Sequence, residues 1–184
     1  MNKAAFDQLY REHYHRVLGL CRRLLGNAAD AEDAAQEVFM RAYLARSRFR
    51  RGSPFGPWIN TIGSNVCIDA LRKRARLNDL DRDADPDDIA ADAPSVSEAL
   101  ISDHDNAAIA GAVEALPEKY RVPIVLAFYA EASYEDIASR LDITRNHVGV
   151  LLSRGKQALR RALAAQLNPN SGELAADANG NPLS

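Results

Sequence analysis

The amino-acid sequence predicts an all-α protein, with two small helical domains joined by a flexible acidic linker and a helix-turn-helix in the second domain. Ala, Leu and Arg, all good helix formers, are abundant, whereas aromatic residues make up only 7%. Apolar residues recur at spacings of three and four along most of the chain, which is the period of an α-helix. An Asp-rich stretch with two prolines separates the two periodic regions.

Charge is divided unevenly along the chain, although the net charge is only −2. Residues 1–77 carry 14 Lys and Arg against 7 Asp and Glu, a net of +7. Residues 78–103 carry nine acids and a single base, a net of −8, and residues 104–184 have a net of −1. The pI near 6.1 therefore hides a basic first domain, which is a candidate for binding nucleic-acid phosphates.

The first two helices of the basic domain are set by an apolar face and by capping residues. An apolar face predicts a helix over residues 3–25, and Gly26-Asn27 ends it. Asp30 is the expected cap of the second helix, with Asp33 placed to reach back to it. Acids here also favour the positive end of the helix dipole.

A loop and a third helix complete the first domain. Two glycines and two prolines predict a loop over residues 48–57, and a third helix runs from about Trp58 to Arg76. We assign residues 1–77 to this domain and residues 78–104 to the linker. Repeated Asp and Ala with prolines cannot bury a core, so the linker is expected to be disordered in isolation.

The second domain is assigned to residues 105–167, with a polar and disordered tail over residues 168–184. Residues 107–116 are apolar and helical in pattern. Pro117 suits the first turn of the next helix, and Pro123 is expected to kink that helix or force it to restart.

The helix-turn-helix follows in the same domain. Ser133 to Asp136 is a capping box for a short helix, residues 142–144 form a turn, and Thr144 caps a helix over residues 145–167.

A helix-turn-helix places its second helix in the major groove, with side chains from its N-terminus on base edges. Here those side chains are Arg145, Asn146 and His147. Asn pairs well with adenine and Arg with guanine. Three residues further along are placed for phosphate contacts: Ser153, Arg154 and Lys156. The alternative is an ordinary three-helix bundle with a solvated face.

Aromatic and basic residues are mixed around the loop of the first domain. Phe49, Phe55 and Trp58 stand among Arg46, Arg48, Arg50 and Arg51, and the next helix carries Asn65, Arg72, Lys73, Arg74 and Arg76. Aromatic rings beside cations suit unstacked bases and a phosphate backbone, so the pattern favours single-strand binding. The alternative is that the aromatic residues are core under a solvated basic face.

Taken together, these segments resemble extracytoplasmic-function (ECF) RNA polymerase sigma factors of the sigma-70 family. Residues 30–43 are similar to the polymerase-binding helix of that family, and residues 58–74 resemble its promoter-opening and −10-reading helix. The −35-reading domain is resembled by three shorter segments, namely residues 116–121, 133–138 and 159–163. The resemblance covers about residues 5–76 and 105–165, in the family's order.

The resemblance implies a role for each matching position. Docking on core RNA polymerase is implied for Asp30, Glu32, Asp33, Gln36, Glu37 and Arg41, although the first acids also fit plain helix capping. Contact with the −10 element is implied for Arg48, Arg50, Phe55, Trp58, Asn65, Asp69, Arg72 and Arg74. Contact with the −35 element is implied for the helix-turn-helix residues Arg145, Asn146, His147, Ser153, Arg154 and Lys156.

The implied partners are the largest and second-largest subunits of core RNA polymerase, promoter DNA and an anti-sigma factor. The acidic linker either threads near the polymerase active site or serves as a solvated tether. The sequence departs from the family at Gly149-Val150-Leu151, where a Lys-Ser-Arg-like run is usual. The missing cations weaken phosphate anchoring, and Gly149 costs the helix about 1 kcal/mol relative to Ala.

Other classes of function find little support in the sequence. No nucleophile–base pair, phosphate-binding Gly loop or metal cluster is visible, so we expect no catalysis, cofactor or metal. Cys21 and Cys67 fit reduced core thiols of a cytoplasmic protein, and no apolar stretch is long enough to span a membrane. Two alternatives remain, a stand-alone helix-turn-helix regulator and a sigma-like protein-interaction module.

Overall fold

The computed structural model describes residues 2–50, 52–78 and 103–167, and within them it contains α-helices and no strand. Three helices form a first lobe: α1 (Lys3–Leu25), α2 (Ala28–Ala45) and α3 (Phe55–Asn78). Four form a second lobe: α4 (Asp103–Glu114), α5 (Glu118–Phe128), α6 (Tyr134–Leu141) and α7 (Arg145–Leu167). The all-α prediction is confirmed.

The connection between α1 and α2 corrects one predicted cap. Gly26 closes α1 in the left-handed conformation at φ 76°, and its N–H donates to the carbonyl of Arg22, as a glycine after a helix does. The N-cap of α2 is Asn27, whose side chain accepts from the N–H of Asp30 at 2.8 Å. Asp30 therefore lies in the first turn, because Asn27, in extended backbone, already occupies the capping position.

The loop of the first lobe is shorter than predicted. α3 begins at Phe55, three residues before the predicted start at Trp58. Gly56 and Pro57 fall in the first turn, where proline is tolerated because the N–H it lacks has no partner within the helix.

The two prolines of the second lobe also differ from expectation. α5 runs without interruption through Pro123, so the predicted restart is wrong. Pro117 is the N-cap of α5 rather than a residue of its first turn.

Of the predicted linker, positions 79–102 lie outside the described residues, while its two ends continue α3 and begin α4. The predicted tail over 168–184 also lies outside them.

The helix-turn-helix forms as the sequence predicts. The Ser133 side chain accepts from the N–H of Asp136, and the Asp136 carboxylate accepts from the N–H of Ser133. The Ser133 hydroxyl, at 2.7 Å, and the Ser133 N–H both donate to the Asp136 carboxylate, and these two hydrogen bonds lower the pKa of Asp136. Asp142 then turns the chain at φ 57°, and the N–H of His147 donates to Thr144 Oγ1 at 3.2 Å.

The buried side chains of both lobes belong to one apolar core. Cys21 and Cys67 are buried in it and unbridged, as predicted for core thiols. Hydrogen bonding to Cys21 and burial raise the pKa of the Cys67 thiol, which keeps it protonated. Among the described helices, none is long and apolar enough to cross a membrane.

Two glycines of α7 give opposite predictions for a Gly→Ala substitution. A Cβ on Gly149 would meet only Tyr134 at 3.9 Å, whereas one on Gly155 would lie 2.9 Å from Cγ1 of the buried Ile124. We expect Gly149→Ala to raise the free energy of unfolding by about 1 kcal/mol. Gly155→Ala should lower it by roughly 1–3 kcal/mol through overpacking. Urea denaturation of the full chain measures both, and shifts of the same sign would contradict the α5–α7 packing.

Candidate polymerase and nucleic-acid surfaces

One face of α2 carries the predicted polymerase-binding residues. Asp30, Glu32, Asp33, Gln36 and Arg41 are exposed, and Glu37 is half-buried. The opposite face is buried against the first-lobe core through residues such as Ala35, Val38 and Ala42. The helix therefore presents a mostly acidic surface to a partner on a rigid support.

Three ion pairs set the side chains of this surface. Glu37 accepts from Arg41 Nε at 2.7 Å, an i,i+4 pair along α2, and Arg41 also lies 3.7 Å from Asp69 of α3. Glu32 pairs with Arg22 of α1 at 3.5 Å. Arg41 thus connects the predicted polymerase-binding helix with the predicted −10-reading helix.

The structure adds two residues that the sequence analysis missed. Met40 and Leu44 are 55% and 71% exposed, and they follow Gln36 at intervals of four on the same side of α2. The sequence pattern alone did not separate them from core residues, because an apolar residue of an amphipathic helix is normally assigned to the core. Met40 and Leu44 form an apolar patch, and the acidic residues lie beside it. Protein interfaces often combine apolar and charged residues in this way.

The aromatic residues around the loop are packed against one another. Phe55 is only 6% exposed, and its ring contacts Phe6, Phe49 and Trp58 at centroid distances of 6.4, 5.6 and 5.4 Å. Trp58 is half-buried and lies 4.9 Å from Phe49. Phe55 is therefore a core residue beneath the loop, whereas Phe49 and Trp58 are both half-buried.

Cations and polar residues of the predicted −10 surface lie on the loop and along α3. Arg48 and Arg50 are exposed on the loop, while Arg51 lies outside the described residues. Asn65, Asp69 and Arg72 are exposed at helical spacing, so they share one face of α3. The structure brings these three together in the order the sequence implied.

Arg74 departs from that surface. It is half-buried, forms an ion pair with Glu118 of α5, and donates to the carbonyl of Leu25 at 3.4 Å. Its guanidinium therefore connects the first lobe with α5 of the second lobe.

The start of α7 presents the predicted base-reading residues. Arg145, Asn146 and His147 are exposed in the first turn. Arg145 Nε lies 2.6 Å from Glu135 of α6, so a carboxylate already accompanies this cation. Farther along α7, Ser153, Arg154 and Lys156 are half-buried, and the Lys156 ammonium lies 5.3 Å from the centre of the Phe128 ring.

A groove of about 810 Å³ lies between the lobes. Ile68 and Leu71 of α3 line one side, and Val150 and Leu151 of α7 line the other. Basic residues stand around this apolar lining, namely Arg72, Arg74, Lys119, His147 and Arg154. The Val150-Leu151 pair of the predicted recognition helix therefore lines this groove together with α3.

The sequence matches two families of transcription proteins in the order of the lobes. Residues 9–77 match Sigma-70 region 2, and residues 106–159 match Sigma-70, region 4. The first match covers α1 to α3, and the second covers most of the second lobe.

The names of two relatives agree with these matches. The chain is 33% identical over 166 residues to the ECF RNA polymerase sigma factor SigW of Bacillus subtilis, covering 86% of this chain and 89% of SigW. It is 32% identical over 160 residues to the ECF RNA polymerase sigma factor SigE of Mycolicibacterium smegmatis. That match covers 87% of this chain but only 62% of SigE.

A solved structure agrees in fold. The sigma factor RpoE, in its complex with the anti-sigma factor NepR from Bartonella quintana, superposes with a TM-score of 0.57 at 22% sequence identity. The comparison covers 87% of this chain and 97% of RpoE. With both regions matched in order and a relative at 33% identity covered over 89% of its length, the chain belongs to the ECF sigma factors of the sigma-70 family.

Proposed function

We propose that this chain binds core RNA polymerase and directs it to promoters, where it takes part in opening the DNA. The observation that carries the proposal is the order of surfaces on one chain. An exposed acidic helix, a basic aromatic loop and a helix-turn-helix follow one another. Polymerase supplies the chemistry in this proposal, and the chain supplies recognition.

The polymerase-binding surface is the exposed face of α2. Asp33, Gln36 and Glu37 provide charge and hydrogen-bond acceptors, and Met40 and Leu44 provide apolar contact area beside them. Acids on the face of a rigid helix suit a basic partner surface, which the family resemblance identifies as the largest polymerase subunit.

The −10 element is assigned to the loop and to α3. Arg48 and Arg50 contact phosphates, and the exposed part of the half-buried Trp58 ring offers a stacking surface for an unpaired base. Asn65, Asp69 and Arg72 line the path of the opened strand along α3. Phe55 holds the loop in place from the core.

The −35 element is assigned to the first turn of α7, with Arg145, Asn146 and His147 in the major groove. We assign phosphate contacts to Ser153, Arg154 and Lys156. Because Val150 and Leu151 replace polar or basic side chains, this contact is weaker than the contact of the first lobe. We assign residues 1–77 to the polymerase and −10 domain, 78–104 to the linker and 105–167 to the −35 domain.

An anti-sigma factor is the partner that we assign to the groove between the lobes. Its apolar lining and basic rim fit an amphipathic helix with acidic residues on its flanks. Occupation of the groove would cover Val150 and Leu151, and it would hold Arg72 away from DNA.

Run-off transcription tests the proposal. Core RNA polymerase is incubated with genomic fragments, with and without the purified chain. We expect discrete transcripts only in the presence of the chain, since core polymerase alone does not select promoters. A stand-alone regulator or an interaction module would give no new transcript, and that result would overturn the proposal.

A further inference from the structure

A second cavity, of about 420 Å³, lies beside the first helix, and we call it the α1 cavity. Its lining comes from α1, from Asn60 of α3, and from the end of α5 with the residues that follow it. None of the lining residues belongs to the surfaces assigned to polymerase or promoter DNA. Pockets that hold small organic ligands have volumes of roughly 300–1,000 Å³, so the α1 cavity is large enough for one.

Two polar atoms of this lining have no hydrogen-bond partner among the described residues. Asn60 is only 3% exposed, and its Oδ1 is an acceptor without a donor. Nε of the half-buried Arg23 is a buried donor without an acceptor. Buried polar groups are nearly always paired, and one water fills only roughly 30 Å³. The α1 cavity therefore suits a ligand that offers a donor to Asn60 and an acceptor to Arg23.

The Arg23 guanidinium is held at the cavity by two contacts within the chain. It stacks on the Tyr129 ring, 4.4 Å from the ring centre. It also reaches back along α1, since a Cβ on Gly19 would lie only 2.9 Å from Arg23 Nη1. Gly19 is about 4.5 Å from Arg16 along the helix axis. Because Gly19 lacks a side chain, Arg23 can approach the turn that carries Arg16, and two guanidinium groups serve one cavity.

The exposed part of the lining adds an aromatic ring and charges of both signs. Phe128 is 46% exposed, and the Lys156 ammonium lies 5.3 Å from the centre of its ring. Arg16 Nη2 lies 4.0 Å from Glu131, and both side chains are exposed. Such a pair is weak in water, so Arg16 remains available to a stronger anion. Guanidinium groups bind phosphate well, and exposed aromatic rings stack on nucleobases.

We propose that the α1 cavity binds a nucleoside 5′-monophosphate. The phosphate is held by Arg16 and Arg23, a ribose hydroxyl donates to Asn60 Oδ1, and the base stacks on the exposed part of Phe128. The Glu131 carboxylate disfavours a longer polyphosphate chain, because it repels further negative charge. This site goes beyond the proposed function, since it needs neither polymerase nor a promoter.

Thermal unfolding and isothermal titration calorimetry of the full-length chain, without polymerase, test the site. The probes are AMP, GMP, CMP and UMP, with adenosine, inorganic phosphate and ATP for comparison. We expect a monophosphate to bind once per chain and to raise Tm by roughly 5 °C at about one hundred times its Kd. Adenosine and inorganic phosphate each keep only part of the contacts and should bind more weakly. ATP should also bind more weakly than AMP.

Two substitutions remove polar contacts of the proposed site. Arg23→Ala should weaken binding of the monophosphate at least about tenfold, because a hydrogen bond between charged groups is lost. Its control is Arg11→Ala, at an exposed position of the same helix, which should bind like the wild type. Asn60→Leu should weaken binding as well. Without ligand its Tm should not fall, because an unpaired buried acceptor is replaced by an apolar group of similar size.

A matched pair of glycines tests the placement of Arg23 without removing it. Both Gly19→Ala and Gly111→Ala put a better helix former into a helix, so neither should lower Tm. A Cβ on Gly111 would meet nothing within 4 Å, whereas one on Gly19 would displace Arg23 Nη1. Only Gly19→Ala should therefore weaken binding of the monophosphate, by severalfold.

The proposal is overturned if no monophosphate changes Tm or gives a binding isotherm. If inorganic phosphate binds as tightly as the monophosphates, the cavity holds an adventitious ion only, and the proposal also fails. Equal binding by Arg23→Ala, Gly19→Ala and their controls would place the ligand elsewhere. Tighter binding of a single-stranded oligonucleotide without a terminal phosphate, lost in Arg23→Ala, would assign the cavity to nucleic acid instead. Circular dichroism checks folding, and if Arg23→Ala does not fold, the two glycine variants decide.

Discussion

The double charge reversal Asp33→Lys, Glu37→Lys is expected to abolish association with core RNA polymerase while leaving the fold intact. Both residues lie on the exposed face of α2, so the mutant would place two lysines against a basic partner surface. Like charges brought together at an interface cost several kcal/mol, which is a loss of at least about a hundredfold in affinity. Co-purification of the chain with core enzyme measures the effect.

The same substitutions should have little effect on stability. Asp33 is exposed and has no ion pair among the described residues, and Glu37 pairs only with Arg41 along the helix. Such a pair contributes about 0.3–0.5 kcal/mol. The matched control is Asp7→Lys, Glu12→Lys, with the same charge change on exposed positions of α1. If the α2 double mutant co-purifies as well as the control, the assignment of α2 to polymerase fails.

The apolar part of this surface could not be predicted from the sequence. Met40 and Leu44 were not singled out by the sequence, because an apolar residue in an amphipathic helix is normally assigned to the core. Only the structure shows that Val38, Phe39 and Ala42 complete the buried face without them. Exposure of an apolar residue depends on how the helix is rotated in the bundle, and periodicity alone does not fix that rotation to within one residue.

Local structure was predictable where one residue has one physical role. Gly26 adopts a positive φ that suits glycine, and Ser133 with Asp136 forms a reciprocal cap, so both helix ends were found from the sequence. The failures lie where the sequence pattern is compatible with more than one local structure. Asn27 and Asp30 both suit a cap, and the position of Pro123 is compatible with a continuous helix once packing outweighs its lost hydrogen bond.

Contacts between the lobes were beyond reach of the sequence. Arg72 and Arg140 are separated by 68 residues, and Arg74 and Glu118 by 44. No local pattern relates such pairs, since their approach depends on how two helical bundles pack. The sequence therefore identified Arg72 and Arg74 as candidates for DNA, while their second use, in holding the lobes together, emerged only from the fold.

The unequal charge of the two domains leads to a second large expected effect. The first domain has a net charge of +7, and the second is nearly neutral and carries Val150 and Leu151 on its recognition helix. Arg145 is further accompanied by Glu135 at 2.6 Å, and this negative charge opposes the attraction of the guanidinium to DNA. Promoter selection should then depend mainly on the −10 contacts, with the second domain held near DNA by its attachment to polymerase.

Replacement of Asn65 by Ala should accordingly reduce open-complex formation by about tenfold or more, since one base contact contributes about 1–3 kcal/mol. Asn65 is exposed, so its loss leaves the core unchanged, whereas Trp58→Ala should reduce opening and also loosen the packing with Phe49. Arg145→Ala and Arg154→Ala serve as the comparison and should reduce opening less. Permanganate footprinting of melted thymines, with polymerase on a mapped promoter, measures all four variants. The division of labour is reversed if the Arg145 and Arg154 variants lose opening while the Asn65 and Trp58 variants retain it.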